Sequence, residues 1–414
     1  MQIARQYPRF GRLLAALAAS QLGDWLYNLA LLAYVQQRTH STTWLGLTTA
    51  ARIAPMVIGG PLGGLLADRL DRRVTMIASD VVRAALMGAL VLTALTTLPI
   101  ILVPLLAAAT TTAGVAYPSS VAAVTPRLVP SEDLAKANGA RGTIAPACVA
   151  AGPALGAVLL LIGPPSVAFA INACTFIISG LFVASIPGGP EFAAPARGEN
   201  PDEIVASVIQ DLRAGARTLL QTPEAGWMVS ADTAGSLVYG SQTVLLLAIA
   251  NRLGLHAAGY GYLLAAQGVG GMAGATLAGR LGTAAEKRTT LAAALLMVGG
   301  PLPFLAFTHS VVVAVVLGLI AGMGAVIAEV VADTRLQQTL DEAHLGTAYG
   351  FAFAASVGGI AVGALVAPLL VSLLGVSGAL VAIAAAVLAL AAALATRTAT
   401  RTTLATPAIV PANA

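Results

Sequence analysis

GGLLADRLDRR, residues 63–73, follows some twenty nearly uncharged residues and then sets two acids and three arginines into six positions. What that charge does depends on the solvent around it, and composition decides the solvent first. Of 414 residues, 57% are hydrophobic and only 10% charged, with a mean hydropathy of +0.85, far more apolar than a soluble domain. Such a chain belongs in a membrane. Cys148 and Cys174 both fall within apolar runs, which leaves no disulfide framework or thiolate metal knuckle and makes them small apolar packing residues.

A helix needs roughly 20 apolar residues to cross about 30 Å of hydrocarbon. On either side of 63–73 the chain supplies such runs at 11–36, 42–66, 74–96, 99–122, 138–162 and 166–187. A second set lies at 226–250, 258–281, 289–308, 311–333, 346–374 and 377–396. This predicts an all-α membrane protein of twelve transmembrane helices in two six-helix bundles, 1–187 and 226–396. Residues 188–225, preceded by Pro187 and holding Pro190, Pro195, Pro201 and nine charges, read as a cytoplasmic linker with an amphipathic interfacial helix around DEIVASVIQDLRAGARTLL. Residues 397–414, ending in TATRTTLATPAIVPANA, read as a disordered cytoplasmic tail.

With both termini cytoplasmic, Arg38 and Arg252 lie in outer loops and Arg52 inside the second run, while the rest of the 22 lysines and arginines fall on the cytoplasmic side. The net charge of +4 is therefore spread as loop anchors, and the expected partners are a lipid bilayer, protons and a small molecule, with no nucleic acid. The basic start MQIARQYPRFGR leads into a run too long for a signal peptide and without a cleavage site, so it reads as an uncleaved first helix.

The two sets are repeats of each other. PLGGLLADRL at 61–70 aligns with MAGATLAGRL at 272–281, pairing Gly63 with Gly274, Leu66 with Leu277, Ala67 with Ala278, Arg69 with Arg280 and Leu70 with Leu281. TPRLVPSEDLAKANGARG at 125–142 aligns with DTRLQQTLDEAHLGTAYG at 333–350, pairing Arg127 with Arg335, Leu128 with Leu336 and Asp133 with Asp341.

The 63–73 segment resembles the signature between the second and third helices of the major facilitator superfamily, G-x-x-x-D-R-x-G-R-R/K. Gly64, Asp68, Arg69, Arg72 and Arg73 match it, and Asp71 stands where the family has glycine. SQLGDW at 20–25, LVPSEDLAKAN at 128–138 and INACTFIIS at 171–179 look like the branch that holds enterobactin and macrolide exporters. The resemblance implies that Asp68 and its arginines form a cytoplasmic latch between the bundles. An acid at a helix end can face a neighbouring helix N-terminus or a cation, while the arginines anchor the loop at the headgroups. Arginine alone would serve as such an anchor; Asp68 and Asp71 lower the loop's charge and favour a specific network. The second copy has Gly279 in place of the acid, so the latch is asymmetric. Asp80 and Arg83, one turn apart, are expected to complete it, and Asp333 with Arg335 to do the same in the second half.

NGARGTIAPACVAAGPALGA resembles the antiporter motif of the fifth helix, with Gly139, Gly152, Pro153 and Gly156 in place and Cys148 and Ala157 departing from it. The small residues permit close helix approach and the proline frees a carbonyl and bends the helix, so together they can shape the bundle interface on its outer half. They are also common in any membrane helix.

An ionisable side chain in hydrocarbon costs about 2.5–3.5 kcal/mol or more and needs a partner or an aqueous cavity. Asp24 and Arg52 are equally distant from residue 38 at the first hairpin, hence at nearly equal depth. Two readings stand: an ion pair locking the hairpin, or a cavity-facing, proton-linked Asp24. Asp232, about two turns into the seventh run, and Glu329, about one turn inside the end of the tenth, can reach the cavity or snorkel to the boundary. Tyr27, Asn28, Tyr117, Asn172, Tyr239 and Gln267 can line a substrate cavity or simply join helices by packing and hydrogen bonds.

His40, His256, His309 and His344 all fall at loops or helix ends, with no HExxH, no cysteine–histidine cluster and no Walker A sequence. No enzymatic activity, cofactor or metal is expected, nor transport driven by ATP within this chain. The expectation is a secondary transporter that exports a small, largely apolar molecule (a drug, macrolide or siderophore) by proton antiport with alternating access. An uncoupled facilitator or importer is the alternative, and a transport-inactive scaffold or sensor the alternative of another class.

Overall fold

The computed structural model describes residues 2–193, 204–280, 288–340 and 345–404, and among them every regular element is helical. Hydrocarbon permits little else to so apolar a chain, because each backbone N–H and C=O must be bonded within its own segment. A short α1 (Gln2–Gln6) precedes α2 (Pro8–Thr39), α3 (Thr42–Arg69) and α4 (Arg72–Leu95). Next come α5 and α6 (Leu102–Gly114 and Ala116–Leu128), then α7 and α8 (Leu134–Gly142 and Ile144–Ile162), and α9 (Pro165–Ala184). Each of these two pairs meets at a residue, Val115 or Thr143, that keeps right-handed helical dihedrals. The linker carries α10 (Ile204–Gln221). The second half comprises α11 (Pro223–Arg252), α12 (His256–Arg280), α13 and α14 (Arg288–Gly299 and Pro301–Phe307), α15 (Val311–Thr339) and α16 (Leu345–Leu404). Gly375, at φ 71° and ψ 173°, divides α16 into two rods; only glycine adopts that backbone without strain. With each joined pair taken as one rod, six described rods precede the linker and six follow it.

Among the described residues six stretches are long and apolar enough to cross a membrane by themselves, Val311–Thr339 and Leu345–Ala395 among them, and α11 makes a seventh as two arms bent by 49°. The other rods are interrupted, as α5–α6 and α7–α8 are, or diluted by charge and glycine, as α2 and α12 are. The final helix passes the expected boundary at 396 and continues to Leu404; residues 405–414 of the tail and 194–203 of the linker lie outside the described residues.

Separate apolar clusters fill the halves. One joins Ala231, Leu245, Leu295, Ile327 and Ile383 in the second half; in the first, Phe10, Leu13, Met76 and Phe192 form one and Leu31, Met87, Leu90 and Phe169 another. The repeat is visible in the two arginines that sit against the charge rule. Arg38, at the end of α2, donates to the carbonyls of Thr96 and Leu98 beyond α4 (both 3.2 Å). Arg252, at the end of α11, donates to the carbonyls of Ala306 (2.5 Å) and Leu305 at the end of α14. Each cation is thus held by a helix C-terminus, where carbonyls are in excess and a positive charge is favoured.

The halves meet along two seams, α3 against the first rod of α16 and α12 against α7 and α8. The linker helix α10 is docked on protein: Leu219 packs with Leu336, Leu345 and Ala348, and a Cβ on Gly215 would strike Thr347.

Candidate functional site

The polar contacts that join the halves gather at the face where the chain begins, called the N-terminal face below. At the end of α3, Asp68 is fully buried and accepts from the Gly346 amide (2.9 Å), the Thr347 amide (2.6 Å) and the Thr347 hydroxyl (2.7 Å) at the start of α16. A carboxylate on a helix N-terminus satisfies amides that have no partner within the helix. Gly64 makes this approach possible, since a Cβ there would lie 2.2 Å from the Gly346 carbonyl oxygen.

The arginines of the segment all have protein partners. Arg69 pairs with Asp211 of α10 at 2.9 Å. Arg72, 1% exposed, sits 3.9 Å from Asp68 and donates to the carbonyls of Ala67 and Ala193, and Arg73 donates to that of Ala184. Arg72 and Arg73 are thus taken up by backbone carbonyls, one of them from the segment that follows α9. Asp71, the residue that departs from the family pattern, is the N-cap of α4 and accepts from the Val74 amide at 2.9 Å, a common use of aspartate at that position.

Deeper along the same interface lies a cluster whose central residue, Arg141, sequence reasoning missed. Arg141 of α7 pairs with Asp333 of α15 and donates to the Tyr349 hydroxyl of α16 at 3.2 Å. Glu329 and Asp232 lie within electrostatic range of the same guanidinium. Asp232 is half-buried and bonds Ser356, while Glu329 is exposed although it projects from the interior stretch of α15. Alongside, the Asn138 amide donates to Thr334 (3.1 Å) and Gln337 (2.6 Å), and Gln337 to the Ala122 carbonyl. The omission has a physical cause. α7 begins at Leu134, not near 138, and α15 ends at Thr339, not near 333, because polar residues that are paired across an interface do not end a helix. Arg141 therefore stands two turns inside its helix, and Glu329 ten residues, about 15 Å, from the end of its own. Asp333 and Arg335 do not pair as a second latch: Arg335 binds Glu224 at 3.2 Å.

Within the first half, Asp24 does not pair with Arg52. Its partner is Arg83 on α4, at 2.5 Å, and Arg83 also bonds Ser20 (3.0 Å), lies 3.9 Å from Asp80 and stacks 3.9 Å above the Phe176 ring. Asp80 accepts from Ser179 at 2.6 Å. Asp80 and Arg83 thus belong to a buried Asp–Arg–Asp array inside one bundle and not to the latch. Arg52 turns to the Asn28 side chain and to the face of Tyr27, 5.1 Å from its centroid. Equal depth on a hairpin leaves the rotation of each helix open, and rotation chose other partners. Asp24 keeps 33% side-chain exposure, so it faces an accessible space at mid-depth.

Of the cavity candidates, Asn28 and Tyr239 keep some exposure, 38% for Tyr239. Tyr27, Tyr117, Asn172 and Gln267 are buried and serve packing instead: Tyr27 meets Phe169 edge-on, Tyr117 contacts Ser179 and Asn172 contacts Met87. The fifth-helix motif also divides. Gly139 packs on Ala275 and Gly279 of α12, across the halves but near the N-terminal face, whereas Gly152 packs on Trp25 of its own half. Gly156 is buried, and α8 runs through Pro153 without interruption, the break falling at Thr143. No group of three metal-ligating side chains occurs among the described residues.

Comparison with known proteins agrees with this architecture. The family model of the Major Facilitator Superfamily matches residues 13–238 and 228–412. Macrolide efflux protein A of Streptococcus pyogenes is 25% identical over 214 residues, 51% of each chain, so the match spans about half the length of that relative. The enterobactin exporter EntS of Shigella dysenteriae is 30% identical over 296 residues, covering 69% of this chain and 67% of that one. Among solved structures, the human organic anion transporter MFSD10 (TETRAN) superposes with a TM-score of 0.80 at 15% identity, covering 94% of this chain and 99% of that one. A bacterial homologue of the iron transporter ferroportin in an outward-facing state superposes with 0.75 at 15% identity and the same coverages. With both halves matched in sequence and the helical architecture shared, this chain belongs to the Major Facilitator Superfamily, as a multi-pass membrane protein and not an enzyme.

Proposed function

We propose that this protein exports a small, largely apolar molecule across the cell membrane by alternating access, in exchange for protons. The observation that carries the proposal is the placement of carboxylates on the two sides of one closure. The halves are tied at the N-terminal face by Asp68 on α16 and by Arg141 on Asp333, while Glu329, Asp232 and Asp24 keep access from within. Placing the N-terminal face in the cytoplasm follows from the distribution of lysine and arginine, and the related exporters support the outward direction.

In this reading the closed N-terminal face is the outward-open state, in which protons reach Glu329 and Asp232 from the opposite side. Neutralising these acids removes charge that helps hold Arg141 against the second half, so the seam loosens and the site turns to the cytoplasm. There the acids release their protons to the cytoplasm and substrate binds, and its return to the outward-open state completes the exchange. Asp24, held by Arg83 and one-third exposed, is the carboxylate placed to meet substrate. The low charge content of the chain, 10%, suits a drug-, macrolide- or siderophore-like solute better than a densely charged one.

The test is counterflow of a panel of macrolides, fluorescent drugs and siderophores in proteoliposomes under an imposed pH gradient. Wild type should follow the gradient, and Glu329→Gln should transport downhill substrate without responding to pH. Gradient-independent flux in wild type would replace antiport by an uncoupled facilitator; a variant that stays fully coupled would remove Glu329 from the proton path.

A further inference from the structure

The arginines in or beside the spanning helices differ in how their charge is met. Arg83 has Asp24 and Asp80, Arg141 has Asp333, and Arg72 lies beside Asp68. Arg38 and Arg252 sit on carbonyls at helix ends. Arg52 of α3 has neither kind of partner. Among the described residues its contacts are the side-chain oxygen of Asn28 and the ring of Tyr27, both on α2. Its Nε is buried without a hydrogen-bond partner, and so is the hydroxyl of Tyr27. A cation in a helix interior is costly unless a counter-charge or an aqueous space meets it.

The space that Arg52 meets is on the protein side of α3. Ala54 and Ile58 belong to the exposed apolar stripe of that helix, Ile58 being 73% exposed, and Arg52, two residues before Ala54, lies about 160° around the helix from it. On the face of Arg52, Thr49 is exposed, Arg52 and Met56 are partly exposed, and Gly63 is buried against Val115. Access therefore narrows toward the N-terminal face and comes from the side of the first hairpin. The second terminal nitrogen of Arg52 and the amide nitrogen of Asn28 are neither buried nor bonded within the described residues, so both are donors open to this space. Asp24 stands one turn from Asn28 on the same face of α2, its charge engaged by Arg83.

We propose that Arg52 and Asn28 bind one carboxylate of the transported molecule. The inference rests on the export reading above and narrows its substrate to an amphiphilic organic monoanion. Guanidinium and amide donors suit the two oxygens of a planar carboxylate, and the bound charge neutralises a guanidinium that has no acidic partner among the described residues. Asp24, one turn away, disfavours a second negative group on the same solute.

The experiment is equilibrium titration of the full chain in detergent, read by energy transfer from tryptophan, with pyrenebutyrate and naphthaleneacetate, each against its neutral amide. Wild type should bind the carboxylates in preference to the amides. Arg52→Gln should weaken carboxylate binding about tenfold, as the loss of one charge-assisted hydrogen bond implies, and leave amide binding unchanged; Arg52→Lys should retain part of the preference. Asn28→Asp gives the guanidinium a carboxylate of its own and should abolish the preference, which keeps the test decisive where Arg52→Gln is not monodisperse. Equal affinity for acid and amide in wild type, binding of neither, or full carboxylate preference in either Arg52→Gln or Asn28→Asp would overturn the subsite. Equilibrium binding needs no gradient, so loss of antiport in the flux assay leaves the subsite standing, and failure of the subsite leaves export of a neutral solute standing.

Discussion

Asp24–Arg83 and Arg141–Asp333 are both arginine–aspartate pairs between packed helices, yet only the second spans the two halves. The first joins α2 to α4 within one half, with side-chain exposures of 33% and 10%. The second joins α7 to α15 across the halves, with 12% and 11%. Under a rocking motion the first pair travels as a unit, whereas the second must break. Under the proposed alternating access the same chemistry is a fastener in one place and a switch in the other, and the difference is set by which helices carry the partners.

Breaking the fastener should have the largest effect on stability. Arg83→Gln leaves Asp24 and Asp80 without their shared cation and should cost about 3–5 kcal/mol, read as a lowered unfolding midpoint in detergent. Adding Asp80→Asn should restore part of it; a wild-type midpoint for Arg83→Gln would show that the array is not structural. Breaking the switch, by Arg141→Gln, should cost the closed seam about 2–5 kcal/mol and show as lengthened spin-label distances across the N-terminal face. Unchanged distances would make Arg141 a fastener as well.

Asp68→Asn sharpens the comparison, because it keeps shape but gives up the charge that receives three donors from α16. The same distances should widen, by about 1.5–3 kcal/mol of lost seam energy, without the loss of within-half stability seen for Arg83. The nearby Asp71→Ala removes only a helix cap, worth about 1 kcal/mol, and should lower the unfolding midpoint while leaving the distances unchanged.

The smallest effect concerns Asp133, at the end of the 3-10 turn Ser131–Asp133 before α7. Hydrogen bonds from Lys136 (2.5 Å) and Tyr7 (2.9 Å) hold its carboxyl below the ordinary value of 3.8. A folded value below the unfolded one contributes stability that is complete above the unfolded value and lost as pH falls through the folded value. The unfolding midpoint should therefore fall more steeply below about pH 4 in wild type than in Asp133→Asn; parallel curves would show that the contact is not felt.

The second seam extends the lesson to the repeat. Where α3 presents Asp68 to the start of α16, the related position on α12 is Gly279, packed against Gly139 and the backbone near Lys136. At Asp68 the seam is closed by a charge that accepts hydrogen bonds, at Gly279 by close backbone contact. Substitution of an acid by glycine was readable in the aligned segments; that each faces the start of a helix in the other half required the fold.

Much was legible in the sequence, and for a definite reason. Hydrocarbon forces apolar runs of helical length, places charge at their ends and makes duplicated halves align, so the twelve rods, the repeat and the loop at Asp68 followed from one-dimensional patterns. A one-dimensional pattern reports depth along a helix but not rotation about it. Asp24 and Arg52 share a depth, yet rotation gave Asp24 to Arg83 and Arg52 to Asn28. Helix ends set by polarity also misled where polar groups were paired across an interface, which hid Arg141 and set Glu329 too near the surface. The sequence alone determined the solvent, the class of fold and its duplication; only the tertiary structure decided which buried charges meet and which of those meetings cross the moving seam, because pairing depends on the azimuth and docking of whole helices.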